Sequence, residues 1–195
     1  MILQQKKIEN KYKNTIMRSL SHNLRTPLNS IISLIDCTKI EGEGNETARK
    51  SLQIARSSSN ILLHKIDDMV DYSKIEINEF KPNFTFFSPQ LLIEEVLSFC
   101  QTQAELAGVQ LIFHVPENIP ERIKSDRKRI RQILIHLVLN GINHTQKNGF
   151  VEIKLENETN HVTFIVKDNG IGMNQETQKK IFNLFSQENA NVKGI

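Results

Sequence analysis

Three short stretches hold residues whose types and spacing could do chemistry: SHNLRTPLNS (21–30), RQILIHLVLNGINHT (131–145) and KDNGIGMN (167–174). In the first, His22 stands two residues after Leu20 and two before Leu24. On a helix that places it about 200° from each, off the apolar stripe the leucines share. Arg18 and Thr26, one turn to either side, lie on the same outward face. An exposed imidazole can be neutral near neutral pH and then offers a lone pair, which makes His22 a candidate nucleophile. Pro27 removes a backbone hydrogen bond and can kink the helix just after the ring. By itself the stretch also suits a surface histidine on a helical bundle.

The second stretch sets Gln132, His136, Asn140 and Asn143 at helical spacing on or beside one polar edge, with Leu, Ile and Val on the other. Such a row of amides and imidazoles can hold a hydrated magnesium ion and phosphates, because magnesium prefers oxygen ligands and keeps several waters. An amphipathic helix with a solvated face carries the same pattern. In the third stretch Asp168 ends a strand, where its carboxylate could accept a hydrogen bond from an exocyclic amine such as that of adenine. Gly170 and Gly172 would let the backbone approach a ligand closely. A tight turn without a ligand fits as well.

The elements that must position these residues follow from periodicity. Ile16, Leu20, Leu24, Leu28, Ile31 and Ile35 recur at spacings of four and three, predicting a helix over about 5–39. EGEGNE (41–46) interrupts it, and Asn45 is a candidate N-cap for a second helix over about 46–79, with a stripe of Leu52, Ala55, Leu62, Ile66 and Met69 widened by Ile61 and Val70. Two long helices joined by a short glycine loop make an antiparallel hairpin that cannot bury both stripes alone. Pairing with a second copy into a four-helix bundle solves that, so a homodimer is expected; a core of three or four helices completed within the chain is the alternative.

The character changes after KPNF (81–84). FTFFSP suits a short strand, Pro89 opens a helix that Gly108 ends, and VQLIFHVP alternates as a strand. SDRKRIRQILIHLVLNGINH (125–144) is helical. FVEIKLEN and HVTFIVKD form a strand hairpin, and NQETQKKIFNLFS is again helix. The expected class is α+β: a helical hairpin over 1–80 and a layered domain over 81–195.

Composition narrows the function. Of 195 residues 38% are hydrophobic and 24% charged, enough apolar surface for a core. A net charge of +3 gives no warrant for nucleic-acid binding. Cys37 and Cys100 lie among apolar neighbours and read as buried thiols of a reducing compartment. No apolar run approaches the roughly 20 residues of a membrane span, and the polar N-terminus is no signal peptide. The chain is therefore expected in the cytoplasm, tethered to a membrane only through upstream segments.

With these stretches in order, the sequence resembles a two-component sensor histidine kinase over nearly its whole length. SHNLRTPLNSI resembles the H box, and DYSKIEINEF resembles the end of the second bundle helix. DRKRIRQILIHLVLNGINHT resembles the N box, DNGIGM the G1 box and IFNLFSQ the F box. The resemblance implies a dimeric four-helix bundle followed by an ATP-binding α/β sandwich of the kind shared with gyrase and chaperone ATPases. It implies that His22 is the phospho-acceptor, that Asn140 coordinates magnesium, that Asp168 reads adenine, and that Gly170 and Gly172 shape the nucleotide pocket. Phe182 and Phe185 would pack near the ATP lid, and Thr26 would orient water for dephosphorylating the partner. Arg25 and Pro27 match positions of structural and conformational importance. The implied cofactors are ATP and Mg²⁺, and the implied partner is a response-regulator receiver domain.

Three departures from the family pattern shape the expectations. Asn23 stands where an acidic residue usually follows the histidine, and an amide can hold the ring but cannot take its proton; a positioned base contributes roughly 10²–10⁴ in rate. His136 replaces an asparagine and Asn143 a lysine at the nucleotide, which removes a cation from the phosphates. The sequence ends at NVKGI, where the second glycine-rich box would begin, so a fragment of a longer kinase without autophosphorylation of its own is expected. A second reading is a dimerising phospho-acceptor or phosphatase module acting through His22 and Thr26 with a degenerate nucleotide site. A gyrase-type ATPase has no need of SHNLRTP.

Overall fold

The computed structural model describes residues 23–24, 26–27, 29–34, 46–76 and 80–180 of the chain. Residues 23–24, 26–27 and 29–34 are helical, with Thr26 exposed and Pro27 buried. Arg18, His22, Arg25, Asn45, Phe182 and Phe185 lie outside the described residues. The elements that follow are α1 (Glu46–Glu76), β1 (Thr85–Phe87), α2 (Pro89–Ala107), β2 (Gln110–His114), β3 (Ile123–Ser125), α3 (Arg127–His144), β4 (Phe150–Asn157), β5 (Val162–Asp168) and α4 (Gln175–Lys180). The chain is thus a mixture of helix and sheet in an α+β arrangement, as its patterning predicts.

Local chemistry sets the ends of α2 and α3. Ser88 caps α2 by accepting from the Leu91 N–H at 3.3 Å, with Pro89 at the first helical position. Gly108 closes α2 in the left-handed region (φ 67°), and Val109 N donates back to Ala104 O at 2.9 Å. Asp126 caps α3: Oδ1 accepts from Arg129 N at 3.1 Å, while Oδ2 accepts from Asn83 N at 2.7 Å and ties the incoming segment to the helix start.

The core lies between α2, α3 and one face of a three-stranded sheet in the order β2-β4-β5. β2 runs parallel to β4 and β5 antiparallel to it, with Val151 opposite Asp168. Leu92, Val96, Cys100 and Ala104 recur every four residues on α2 and meet Leu134, Ile135, Val138 and Ile142 of α3. Alternation along β4 turns Val151, Ile153 and Leu155 into the same core. Each such side chain, fully buried, contributes about 1.5–3 kcal/mol. β1 and β3 form a separate antiparallel pair.

The α1 helix leaves its apolar stripe uncovered within the single chain. Of its apolar stripe, Leu52 and Ile66 are exposed, and so is Leu63 nearby. The face turned to α2 and α3 is polar: Ser57, His64 and Asp71 are buried there, with Asp68 half-buried. Residues 52, 63 and 66 project from one side of the helix, and 57, 64, 68 and 71 from the other. Periodicity identifies the apolar face but does not say which face this domain covers.

Candidate functional site

The glycine turn at the end of β5 is built against the C-terminal end of α3. Asp168 Oδ1 accepts from Gly170 N at 2.9 Å, which folds the turn onto its own carboxylate. Asn169 Oδ1 accepts from Phe150 N at 2.7 Å and fixes the turn to the start of β4. Ile171 N donates to His144 O at 3.1 Å and fixes it to α3. Gly170 fits because a Cβ there would stand 2.3 Å from His144 O. Gly172 adopts φ 68°, the left-handed region that favours glycine, and has nothing within 4 Å of where its Cβ would stand. Gly141 lets α3 approach the sheet, since its Cβ would meet Val151 Cγ2 at 2.9 Å and Asp168 Cβ at 3.5 Å.

This packing sets Asn140 and Asn143, both exposed, on the α3 end beside the exposed Asp168. One Asp168 oxygen is engaged in the turn, so the carboxylate can still accept from an amine-bearing ligand. Asp168, Gly170 and Gly172 share one turn, and Asn140 and Asn143 lie on the helix end bonded to it. Asn169, the Gly141 contact and the His144 carbonyl position the turn although no motif marks them. For Gly141 the available signal is a glycine inside a helix.

The other end of the polar edge is engaged differently. His136 Nε2 lies 2.6 Å from Asp68 Oδ2, and Gln132 Nε2 donates to Asp68 Oδ1. Arg129 pairs with Asp71, donates to Gln132 Oε1 at 3.0 Å and stacks over Phe80 at 5.1 Å. Lys128 reaches Asp67 at 3.4 Å. His136 thus sits with α1, while Asn140 one turn later stays open. Burial acts to raise the Asp68 carboxyl, but hydrogen bonds to His136 and Gln132 outweigh it and hold Asp68 below the usual carboxylate range. Burial lowers His64 from the ordinary histidine value. Asn23, half-buried, and Thr26, exposed, occupy the first helical segment. A cleft of about 770 Å³ between α1 and α2, lined by Arg56, Asn60, Glu95 and Arg131 among others, shares no residue with the glycine turn.

Known proteins match both halves. Residues 12–78 match the His Kinase A (phospho-acceptor) domain, and residues 125–194 the histidine kinase-, DNA gyrase B- and HSP90-like ATPase family. Signal transduction histidine-protein kinase BarA of Escherichia coli (strain K12) is 29% identical over 185 residues, covering 92% of this chain and 20% of BarA. The chain therefore spans about a fifth of that relative's length. A nucleotide-free catalytic domain of histidine kinase ThkA is 31% identical, covering 57% of this chain and 73% of that one, with a TM-score of 0.51. ThkA in complex with response regulator protein TrrA matches over 94% of this chain and 54% of that one, at 25% identity and a TM-score of 0.55. No helix among the described residues is long and apolar enough to cross a membrane.

Proposed function

The chain belongs to the two-component sensor histidine kinases, and on that premise we propose that it is a kinase core that moves a phosphoryl group from ATP to His22 and on to a receiver-domain aspartate. The observation that carries the reading is the hydrogen-bonded junction of the 168–172 turn with the end of α3, which sets the Asp168 carboxylate beside two exposed amides. Asp168 accepts from the adenine amine. Gly170 and Gly172 keep the turn free of side chains where the nucleotide lies.

Asn140 and Asn143 face the phosphates. The exposed amide oxygen of Asn140 is the hard donor that magnesium takes, so the residues suit the ion. Bound there, magnesium neutralises phosphate charge. In the transfer, a nitrogen of His22 attacks the γ-phosphorus in line, an N–P bond forms and the P–O bond to ADP breaks. Asn23 orients the ring without accepting its proton. Thr26, exposed on the same helix, positions water when the partner is dephosphorylated.

The phosphoryl donor and acceptor sit on different parts of the chain, so the nucleotide half must move along the bundle. Its contact with α1 is polar, and the exposed Lys128–Asp67 pair in it is one that water can replace. The exposed Leu52, Leu63 and Ile66 face supports a homodimer in which a second copy covers it. ATP chemistry and a receiver partner support a cytoplasmic location. The second reading, a dimerising acceptor or phosphatase module, is favoured by one observation: His136 is turned to Asp68 of α1.

Radiolabelled ATP with Mg²⁺ separates the two. The chain is incubated alone and with a histidine kinase core that has an intact second glycine-rich box and alanine at its own acceptor. Acid-labile, alkali-stable label on His22 in the chain alone supports the kinase core, and label only in the mixture supports the acceptor module instead. Label absent from both, with the control kinase active, refutes phosphoryl acceptance in favour of the phosphatase module.

A further inference from the structure

Beyond the phosphoryl chemistry, we propose that His64, Asp68 and His136 form a divalent transition-metal site, suited to Zn²⁺, that joins α1 to α3. One ligand atom from each of the three lies within 4.8 Å of the others. His64 and Asp68 are four residues apart and so share one face of α1, while His136 comes from α3. The two imidazole rings stand 4.9 Å apart between centroids, and His136 Nε2 is 2.6 Å from Asp68 Oδ2.

A second observation is independent of this clustering. His64 is only 8% exposed, and its Nε2 is buried without a hydrogen-bond partner. Buried polar nitrogens are nearly always satisfied, and one that is not calls for an explanation such as an ion. Two imidazoles and a carboxylate are a Zn²⁺ donor set that leaves a fourth position for water. At Zn–N and Zn–O distances of about 2.0–2.2 Å, tetrahedral ligands stand about 3.3–3.5 Å apart. An ion would have to draw the three ligand atoms, which lie within 4.8 Å of one another, in to that spacing. Mg²⁺, which prefers an all-oxygen shell, is a poor match. Asp67 adds negative charge near His64, and Arg131 opposes it.

With ligands on both helices, an ion would fix one position of the nucleotide half on the bundle. The test is Zn²⁺ uptake by the chelator-treated full chain, in competition with a chromophoric chelator. The expected result is one Zn²⁺ per chain and affinity at least tenfold weaker in both His64→Ala and His136→Ala, since loss of a direct ligand costs no less than loss of its supporting shell. His136 is 48% exposed at its side chain, so its variant keeps the test valid if the His64 variant fails to fold. His161→Ala, an exposed histidine 3.1 Å from Glu158, should bind as the parent does. No uptake, or uptake that survives His136→Ala unchanged, overturns the proposal.

Discussion

Gly170→Ala tests how the turn is seated. The added Cβ would stand 2.3 Å from His144 O, 2.8 Å from His144 C and 2.9 Å from Asp168 Oδ1. The first two are backbone atoms at the end of α3, and the same carbonyl accepts from Ile171 N at 3.1 Å. Neither neighbour can swing aside as a long side chain would, so the turn must lift off the helix. Overpacking costs about 1–3 kcal/mol, and a lost backbone hydrogen bond adds about 0.5–1.5 kcal/mol. The sum is roughly 1.5–4.5 kcal/mol, which at roughly 2–4 °C per kcal/mol lowers the thermal midpoint by about 3–18 °C. Gly172→Ala is the internal control. It has open space around the site and bears only the left-handed backbone, about 1–2 kcal/mol, or roughly 2–8 °C. Melting followed by far-UV circular dichroism should rank the parent above Gly172→Ala, and that above Gly170→Ala. Equal midpoints for the two variants, or the reverse order, would refute the close approach of the turn to His144.

Further outcomes follow from other contacts. Asp126→Ala removes the cap of α3 and the tie to Asn83, and chemical denaturation should show a loss of about 1–2 kcal/mol from the cap alone. Asp71→Ala leaves the partly buried Arg129 without its carboxylate, and hydrogen exchange in α1 should accelerate by the equivalent of about 1.5–3 kcal/mol. Burial pushes the Cys100 thiol up to about 12, so alkylation at pH 8 should spare it in the folded chain and label it in denaturant, as read by peptide mass spectrometry.

Much of the sheet domain was legible in the sequence because its signals are local. The four-residue recurrence of Leu92, Val96, Cys100 and Ala104, the alternation in FVEIKLEN and the Pro89 and Gly108 boundaries each fix an element within a few residues. β3 was not legible: Ile123–Ser125 has too few residues to show a period and exists through pairing with β1. Of the candidate site, Asp168, Gly170, Gly172 and Asn140 were legible from motif spacing. Asp68 and Asp71 were not, because their partners on α3 lie 58 to 68 residues away and nothing in α1 marks them among its charges. The exposed Leu52 and Ile66 show the same limit, for a stripe records what must be covered and not by what.

The most direct test of the nucleotide site is titration of the chain with an ATP analogue and Mg²⁺, for the parent and for Asp168→Ala. Loss of a hydrogen bond to a charged group, about 1.5–3 kcal/mol, predicts binding weaker by roughly 10- to 150-fold in the variant, with circular dichroism unchanged. Equal affinity in the two proteins would contradict the assignment of Asp168 and the 168–172 turn to the nucleotide.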